Sequence, residues 1–366
     1  MAEGGGRMAK KPVFIPSLRR SLSIYKRHPP STIRHPVIAI TLGDPGGIGP
    51  EIVVKALQKE KPSKRLAYLL IGSRKTLKTL CQKTGLWLPF KTVPSVSSGS
   101  LRGGHIYFLD ISAGSSSEGT FKIGKLCREN GRLALSAIET AASLAKRGIV
   151  DAIVTAPVNK AAIRLVDKKF IGHTEFLAAK AQARRFAMMF VSPRLNVTLA
   201  TIHVPLKKVS GLLTQKSILE KILLTDEMLR RGLSLKKPSI AVCALNPHGK
   251  EFGDEETKVI EPAVREARRR GINALGPFSS DLLFHAAYHG KYDALISMYH
   301  DQALAPFKLV AFHDGVNVTL GLPYTRTSPD HGTAFDIAYQ GKADPSSMLA
   351  ALRLAKKAVL AKCSRR

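Results

Sequence analysis

From residue 36 onward, short apolar runs alternate with longer mixed segments. The runs fall at 37–41, 67–71, 106–109, 152–154, 197–202, 240–245 and 294–298. Each is too short for a typical helix and almost free of charge, which predicts buried strands. Between them, 131–146, 175–185 and 218–229 repeat apolar residues at helical spacing. Buried strands alternating with amphipathic helices predict an α/β fold with a largely parallel sheet. No internal repeat or low-complexity linker interrupts this pattern after residue 36.

Residues 1–35 lack it. They carry a glycine run, a Pro-rich turn and many Lys and Arg against a single acid, Glu3. A disordered basic extension is expected, with a targeting peptide or a nucleic-acid arm as the alternatives. The whole chain of 366 residues is 44% hydrophobic, enough for one or two cored domains. No run approaches the ~20 apolar residues of a membrane span. Four scattered cysteines without a C-x-x-C pair exclude a disulfide scaffold or cysteine-rich zinc site and fit a reducing compartment such as the cytoplasm. The formal charge of +30 is the unusual quantity. It favours anionic partners of any kind, polyanions and phosphorylated substrates alike, without choosing among them. Aromatics are 6% with one Trp, few platforms for stacking bases, so no specific nucleic-acid binding is expected.

In parallel sheets, ligands gather at the carboxyl ends of strands. Three runs lead there into a histidine: 197–202 into His203, 240–245 into His248, and 294–298 into His300. Three imidazoles could converge on one divalent ion and leave a position open for substrate; the alternative is three unrelated loop residues. His285 and His289 lie four apart, but Ala286 stands where a zinc protease needs Glu, so this pair is read as structural. Gly43-Asp-Pro-Gly-Gly-Ile-Gly-Pro-Glu51 follows the first run and fits neither a Rossmann nor a Walker pattern. It is either an anion-binding helix start or a tight turn. Thr174 and Glu175 suit a helix N-terminus, or His173 and Thr174 present donors to a phosphate or carboxylate. Lys308, Asn317, Arg326 and Asp330 punctuate a stretch rich in Gly and β-branched residues, the composition of a built site.

With these motifs the chain resembles the 4-hydroxythreonine-4-phosphate dehydrogenase family of pyridoxine-phosphate synthesis. The matching segments are 41–51, Thr155-Ala-Pro-Val-Asn-Lys160, Gly172-His-Thr-Glu-Phe176, 201–206, Leu245-Asn-Pro-His248, 276–281, Met298-Tyr-His-Asp-Gln302, 315–323, Arg326 and 330–334. They fall in order over roughly residues 36–350. The resemblance implies a divalent metal (Zn, Mg or Co) on His203, His248 and His300. It implies a phosphorylated amino-acid substrate held by His173, Thr174, Lys308, Asn317 and Arg326. It further implies a homodimer whose site is shared between subunits, with two α/β/α domains around a cleft as in isocitrate and isopropylmalate dehydrogenases. The expected division is 36–155 plus 305–366 for the cofactor side and 156–304 for the metal ligands and dimer contact. The segment from Asp330 to 345 resembles the adenosine-binding loop of that wider group, which implies dinucleotide contacts at His331, Gly332, Thr333, Ala334 and Asp336. A carboxylate at 336 would accept bonds from ribose hydroxyls and repel a 2′-phosphate, favouring NAD over NADP.

The implied reaction oxidises the C3 hydroxyl of 4-phosphooxy-threonine. The resulting β-keto acid loses CO2 to give 3-amino-2-oxopropyl phosphate. A metal on neutral imidazoles would lower the alcohol's pKa and polarise the new ketone. Asp281 and Asp301 are expected to orient a histidine or accept a proton, and Lys160 to move a proton or hold an anionic group. Paralogues acting on 4-phospho-D-erythronate or 4-phospho-threonate are the alternative.

Overall fold

The computed structural model describes residues 34–112 and 120–363, so most of the basic extension lies outside the described residues. Arg34, placed in that extension by the sequence, belongs to the fold. Its guanidinium grips both oxygens of Asp151 at 2.7 and 3.1 Å.

Twelve strands form one sheet: β1 (Val37–Thr41), β2 (Ala67–Gly72), β3 (Lys91–Val93), β4 (Ile106–Asp110), β5 (Ala152–Thr155), β6 (Ala187–Val191), β7 (Asn196–Leu199), β8 (Ser239–Cys243), β9 (Asn273–Phe278), β10 (Ala294–Ser297), β11 (Val316–Leu320) and β12 (Thr325–Pro329). Their order is β3-β4-β2-β1-β5-β12-β11-β6-β7-β10-β8-β9. The expected largely parallel sheet is present: among the described residues, only the pairings β12–β11, β11–β6 and β6–β7 are antiparallel. Three antiparallel steps reverse the direction, so the parallel block from β3 to β12 runs opposite to the block from β7 to β9.

The helices are α1 (Gly49–Lys59), α2 (Arg74–Thr84), α3 (Arg128–Lys146), α4 (Lys160–Arg164), α5 (His173–Lys180), α6 (Val209–Leu212), α7 (Gln215–Glu227), α8 (Glu261–Arg269), α9 (Ser280–Tyr288), α10 (His300–Ala311) and α11 (Ser346–Cys363). Strand β1 shows why they cover both faces. Ile38 and Ile40 pack with Ile52 of α1 and Leu352 of α11, while Val37 and Ala39 pack with Ile138 of α3. All four are buried, so the strand reads as a continuous apolar run rather than an alternation. On the other block, Val197, Leu199 and Leu295 bury against Phe307 of α10. Among the described residues, no helix is long and apolar enough to cross a membrane.

Several expected boundaries move. The helix expected over 175–185 runs instead from His173 to Lys180 and is followed by Gln182 at φ 55, a left-handed residue that no helix continues through. The helix expected at 131 starts three residues earlier, at Arg128. The runs expected to end at 202, 245 and 298 leave the sheet at Leu199, Cys243 and Ser297. His203 and His248 therefore sit on loops beyond their strands, and His300 opens α10.

Candidate active site

Strands β11 and β12 carry polar residues into the interior. Arg326 of β12 is 2% exposed. Its Nη2 donates to Thr155 Oγ1 at 2.7 Å and its Nη1 to Thr319 Oγ1 at 3.1 Å and Asn317 Oδ1 at 3.4 Å. Among the described residues, no carboxylate pairs with it, and its Nε has no acceptor. Burial lowers the guanidinium to about 10, so it stays charged at neutral pH. A buried cation held only by neutral oxygens is costly unless an anion joins it.

His173 and Thr174 adjoin this group from α5. The structure corrects the capping expectation: Gly172 is the N-cap, and Thr174 Oγ1 lies 3.3 Å from Thr319 Oγ1 instead. His173 Nε2 is buried without a partner among the described residues. Burial, with the charges of Arg326 and Lys160, pushes this imidazole well below its usual range, so it is neutral at pH 7. Lys160 opens α4 behind its N-cap Asn159, and its charge also reaches Glu175. The structure thus brings together His173, Thr174, Asn317, Arg326 and Lys160. It adds Thr155 and Thr319, which no sequence motif singles out as binding residues. Thr155 ends β5 and opens the matching segment Thr155–Lys160, and those positions are the signal it carries. Lys308 is placed differently: it pairs with Asp330 Oδ2 at 2.7 Å.

The three histidines follow β7, β10 and β8, which are neighbours in the sheet. The rings of His203 and His300 lie 5.6 Å apart between centroids. His300 Nδ1 is 2.7 Å from Asp301 Oδ1, and His203 Nδ1 is 3.8 Å from Glu175 Oε1. A carboxylate on one ring nitrogen fixes the imidazole and leaves the other nitrogen for a metal. This donor chemistry fits a divalent ion. His248 does not join the pair: among the described residues, no three His, Cys, Asp or Glu meet closely enough to hold one ion. Asp281 lies in the field of His248 and accepts a 2.6 Å bond from Ser279, which holds its carboxyl below the usual range. His203 and His248 both have left-handed backbones, φ 49 and 51. Such conformations in non-glycine residues cost energy and gather at functional sites. An open bowl of about 330 Å³ lies beside Glu175, with Arg184, Arg185 and Ile202 among its walls.

The segment after β1 is not an anion cradle. Gly46 N donates to Asp44 Oδ1 at 2.8 Å, Gly47 N to the Asp44 carbonyl at 3.1 Å, and Ile48 N to the Thr333 carbonyl at 2.9 Å. A Cβ on Gly47 would come within 2.7 Å of that carbonyl, so glycine permits the contact. Gly43 has φ 73, and a Cβ there would lie 2.4 Å from Pro157 O. Tight packing against the 331–343 loop therefore explains the motif. In that loop, Ala334 has φ 38 and Asp336 is exposed. No donor among the described residues engages the Asp336 carboxylate, which suits it to ribose hydroxyls.

Burial pushes the Asp44 carboxyl up to about 6. A folded value above the ordinary 3.8 means the fold favours the protonated acid. This group's contribution is therefore full below pH ~4 and is lost as pH rises to ~6, a swing of about 3 kcal/mol. Asp44→Asn is expected to melt above the parent at pH 7.5, with the gap roughly halved at pH 5 and closing only below about pH 4. Parallel melting curves at both pH values check this; a constant gap contradicts it.

Residues 64–355 match the family described as Pyridoxal phosphate biosynthetic protein PdxA. The chain is 43% identical over 327 residues to the 4-hydroxythreonine-4-phosphate dehydrogenase of Desulforapulum autotrophicum, covering 88% of this chain and 96% of that protein. It is 41% identical over 323 residues to the D-threonate 4-phosphate dehydrogenase of Salmonella typhimurium, covering 87% and 97%. The solved structure of the 4-hydroxythreonine-4-phosphate dehydrogenase from Klebsiella pneumoniae superposes with a TM-score of 0.77 at 37% identity, covering 88% of this chain and 99% of that one. The buried arginine, the paired histidines and the clamped loop thus stand within a chain that belongs to the PdxA family of dehydrogenases.

Proposed function

We propose that this chain oxidises 4-phosphooxy-L-threonine with NAD to a β-keto acid that decarboxylates to 3-amino-2-oxopropyl phosphate. The observation that carries the reading is Arg326, a buried charge that no carboxylate contacts among the described residues, beside the unpartnered Nε2 of neutral His173. A phosphate monoester supplies both what the guanidinium lacks and an oxygen for the imidazole to engage. Thr174 and Asn317 add neutral contacts, and Lys308, released from Asp330, adds a second cation. Lys160, exposed at the rim, would hold one of the substrate's anionic groups.

His203, His248 and His300 would hold a divalent ion, with Asp301 orienting His300. A second copy of the chain, in a homodimer, would supply the histidine that one chain keeps apart. Imidazole ligands favour Zn or Co over Mg, which prefers oxygen. Bound there, the ion would supply Lewis acidity to the substrate's hydroxyl and ketone oxygens. The 331–336 loop receives the dinucleotide, and Asp336 favours NAD by accepting from two ribose hydroxyls. Two lobes, 36–155 with 305–366 and 156–304, would flank the site. Cysteine usage fits work in the cytoplasm.

The test is NADH formation with 4-phosphooxy-L-threonine, D-threonate 4-phosphate and 4-phospho-D-erythronate side by side. The first is expected to turn over fastest. Preference for either sugar acid would keep the fold and the anion site but reassign the substrate.

A further inference from the structure

Glu51, in the first turn of α1, is fully buried although it is a carboxylate. Its Oε1 accepts from Ala343 N at 2.8 Å and from Lys55 Nζ at 2.8 Å, and its Oε2 from Gly341 N at 3.2 Å. Lys55 Nζ, one turn on, also donates to the carbonyls of Gly341 and Ala343 at 2.8 Å each. One ion pair thus holds both backbone polar groups of two residues on a distant loop. The turn leading into α1 grips that loop twice more: Ile48 N bonds the Thr333 carbonyl, and Tyr339 Oη donates to Pro45 O at 2.7 Å. These contacts bracket Ala334, with φ 38, and the exposed Asp336.

A buried ion pair is weak evidence of stability, because its desolvation offsets its attraction. Its stronger effect is to fix a conformation. A loop held in its binding shape before the ligand arrives loses less entropy on binding. We infer that Glu51 and Lys55 are positioning residues for the dinucleotide, latching the 331–343 loop in the shape that receives it. This rests on the reading of residues 331–336 as the cofactor loop.

The experiment is calorimetric titration of the full chain with NAD, without substrate, alongside amide hydrogen exchange of the loop. Glu51→Gln offers the two backbone donors one good acceptor where the carboxylate offers two. Lys55→Met leaves the two carbonyls without their side-chain donor and the buried carboxylate without its counter-ion, and serves should the first variant fold poorly. Each is expected to weaken NAD binding about tenfold or more, since hydrogen bonds to charged groups are the strong ones. Exchange at Gly341 and Ala343 should quicken, while inorganic phosphate should still raise the melting temperature as in the parent. Lys55→Arg should retain most of the affinity. NAD affinity within about twofold of the parent in both disruptive variants would overturn the latch, even with faster exchange, because the contacts would then be structural only. Unchanged exchange would overturn it as well. Asp336→Ala separates the two claims: parent-like affinity there counts against the cofactor loop, and parent-like affinity in Glu51→Gln and Lys55→Met counts against the latch.

Discussion

Arg326→Met is expected to melt at or above the temperature of the parent and still lose at least about a hundredfold in kcat/KM. The two halves have one cause. In the free chain the guanidinium is buried and charged with only Thr155, Thr319 and Asn317 as acceptors. Removing a buried charge that no carboxylate contacts relieves its desolvation cost, which offsets the hydrogen bonds to neutral oxygens that are lost with it. Substrate binding reverses the balance, because a phosphate would make two charged hydrogen bonds worth about 1.5–3 kcal/mol each. Losing both costs roughly two to four powers of ten. Inorganic phosphate supplies an independent readout. It should raise the melting temperature of the parent and leave that of Arg326→Met unmoved. A variant that melts lower, or that keeps its phosphate response, would make Arg326 a structural residue.

His300→Ala is expected to lose activity by a comparable factor, with His203→Ala close behind. Each removes one of the two rings that the chain already brings within 5.6 Å. Elemental analysis of the purified variants should show the divalent ion reduced or absent, with the fold intact by circular dichroism, since both side chains are about 40% exposed and carry little packing. His248→Ala should behave alike if the other copy contributes that ring. Asp301→Asn should fall between, because it keeps a hydrogen-bonding partner for His300 Nδ1 but weakens its basicity. Metal content equal to the parent's in His300→Ala would remove that residue from the ligand set.

What was legible in the sequence divides along physical lines. The seven strands expected from apolar runs are all strands, but the equally apolar β6 (Ala187–Val191) was not among them. Strands β11 and β12 were missed because the site is written into them: Asn317, Thr319 and Arg326 break any apolar run. β9 carries Gly276 and Pro277, which interrupt its apolar pattern, and α10 carries Pro306 inside the helix. Each of the three histidines was legible as following an apolar run, and the sheet order makes those strands neighbours. Which two meet was not legible, because it depends on how far each loop runs past its strand. Thr155 and Thr319 were invisible as site residues, since a buried threonine acquires a role only from the arginine that crosses to it. The glycine motif pointed to an anion or a tight turn. Its actual partner, the loop near residue 340, lies almost the whole chain away.

The most direct measurement is NADH formation from 4-phosphooxy-L-threonine before and after chelation with EDTA. A metal-assisted oxidation predicts turnover in the untreated protein, none after chelation, and recovery on adding back Zn or Co. Undiminished turnover of a verified metal-free protein would contradict the metal-assisted mechanism, and no turnover with metal and NAD both present would contradict the assignment of the substrate.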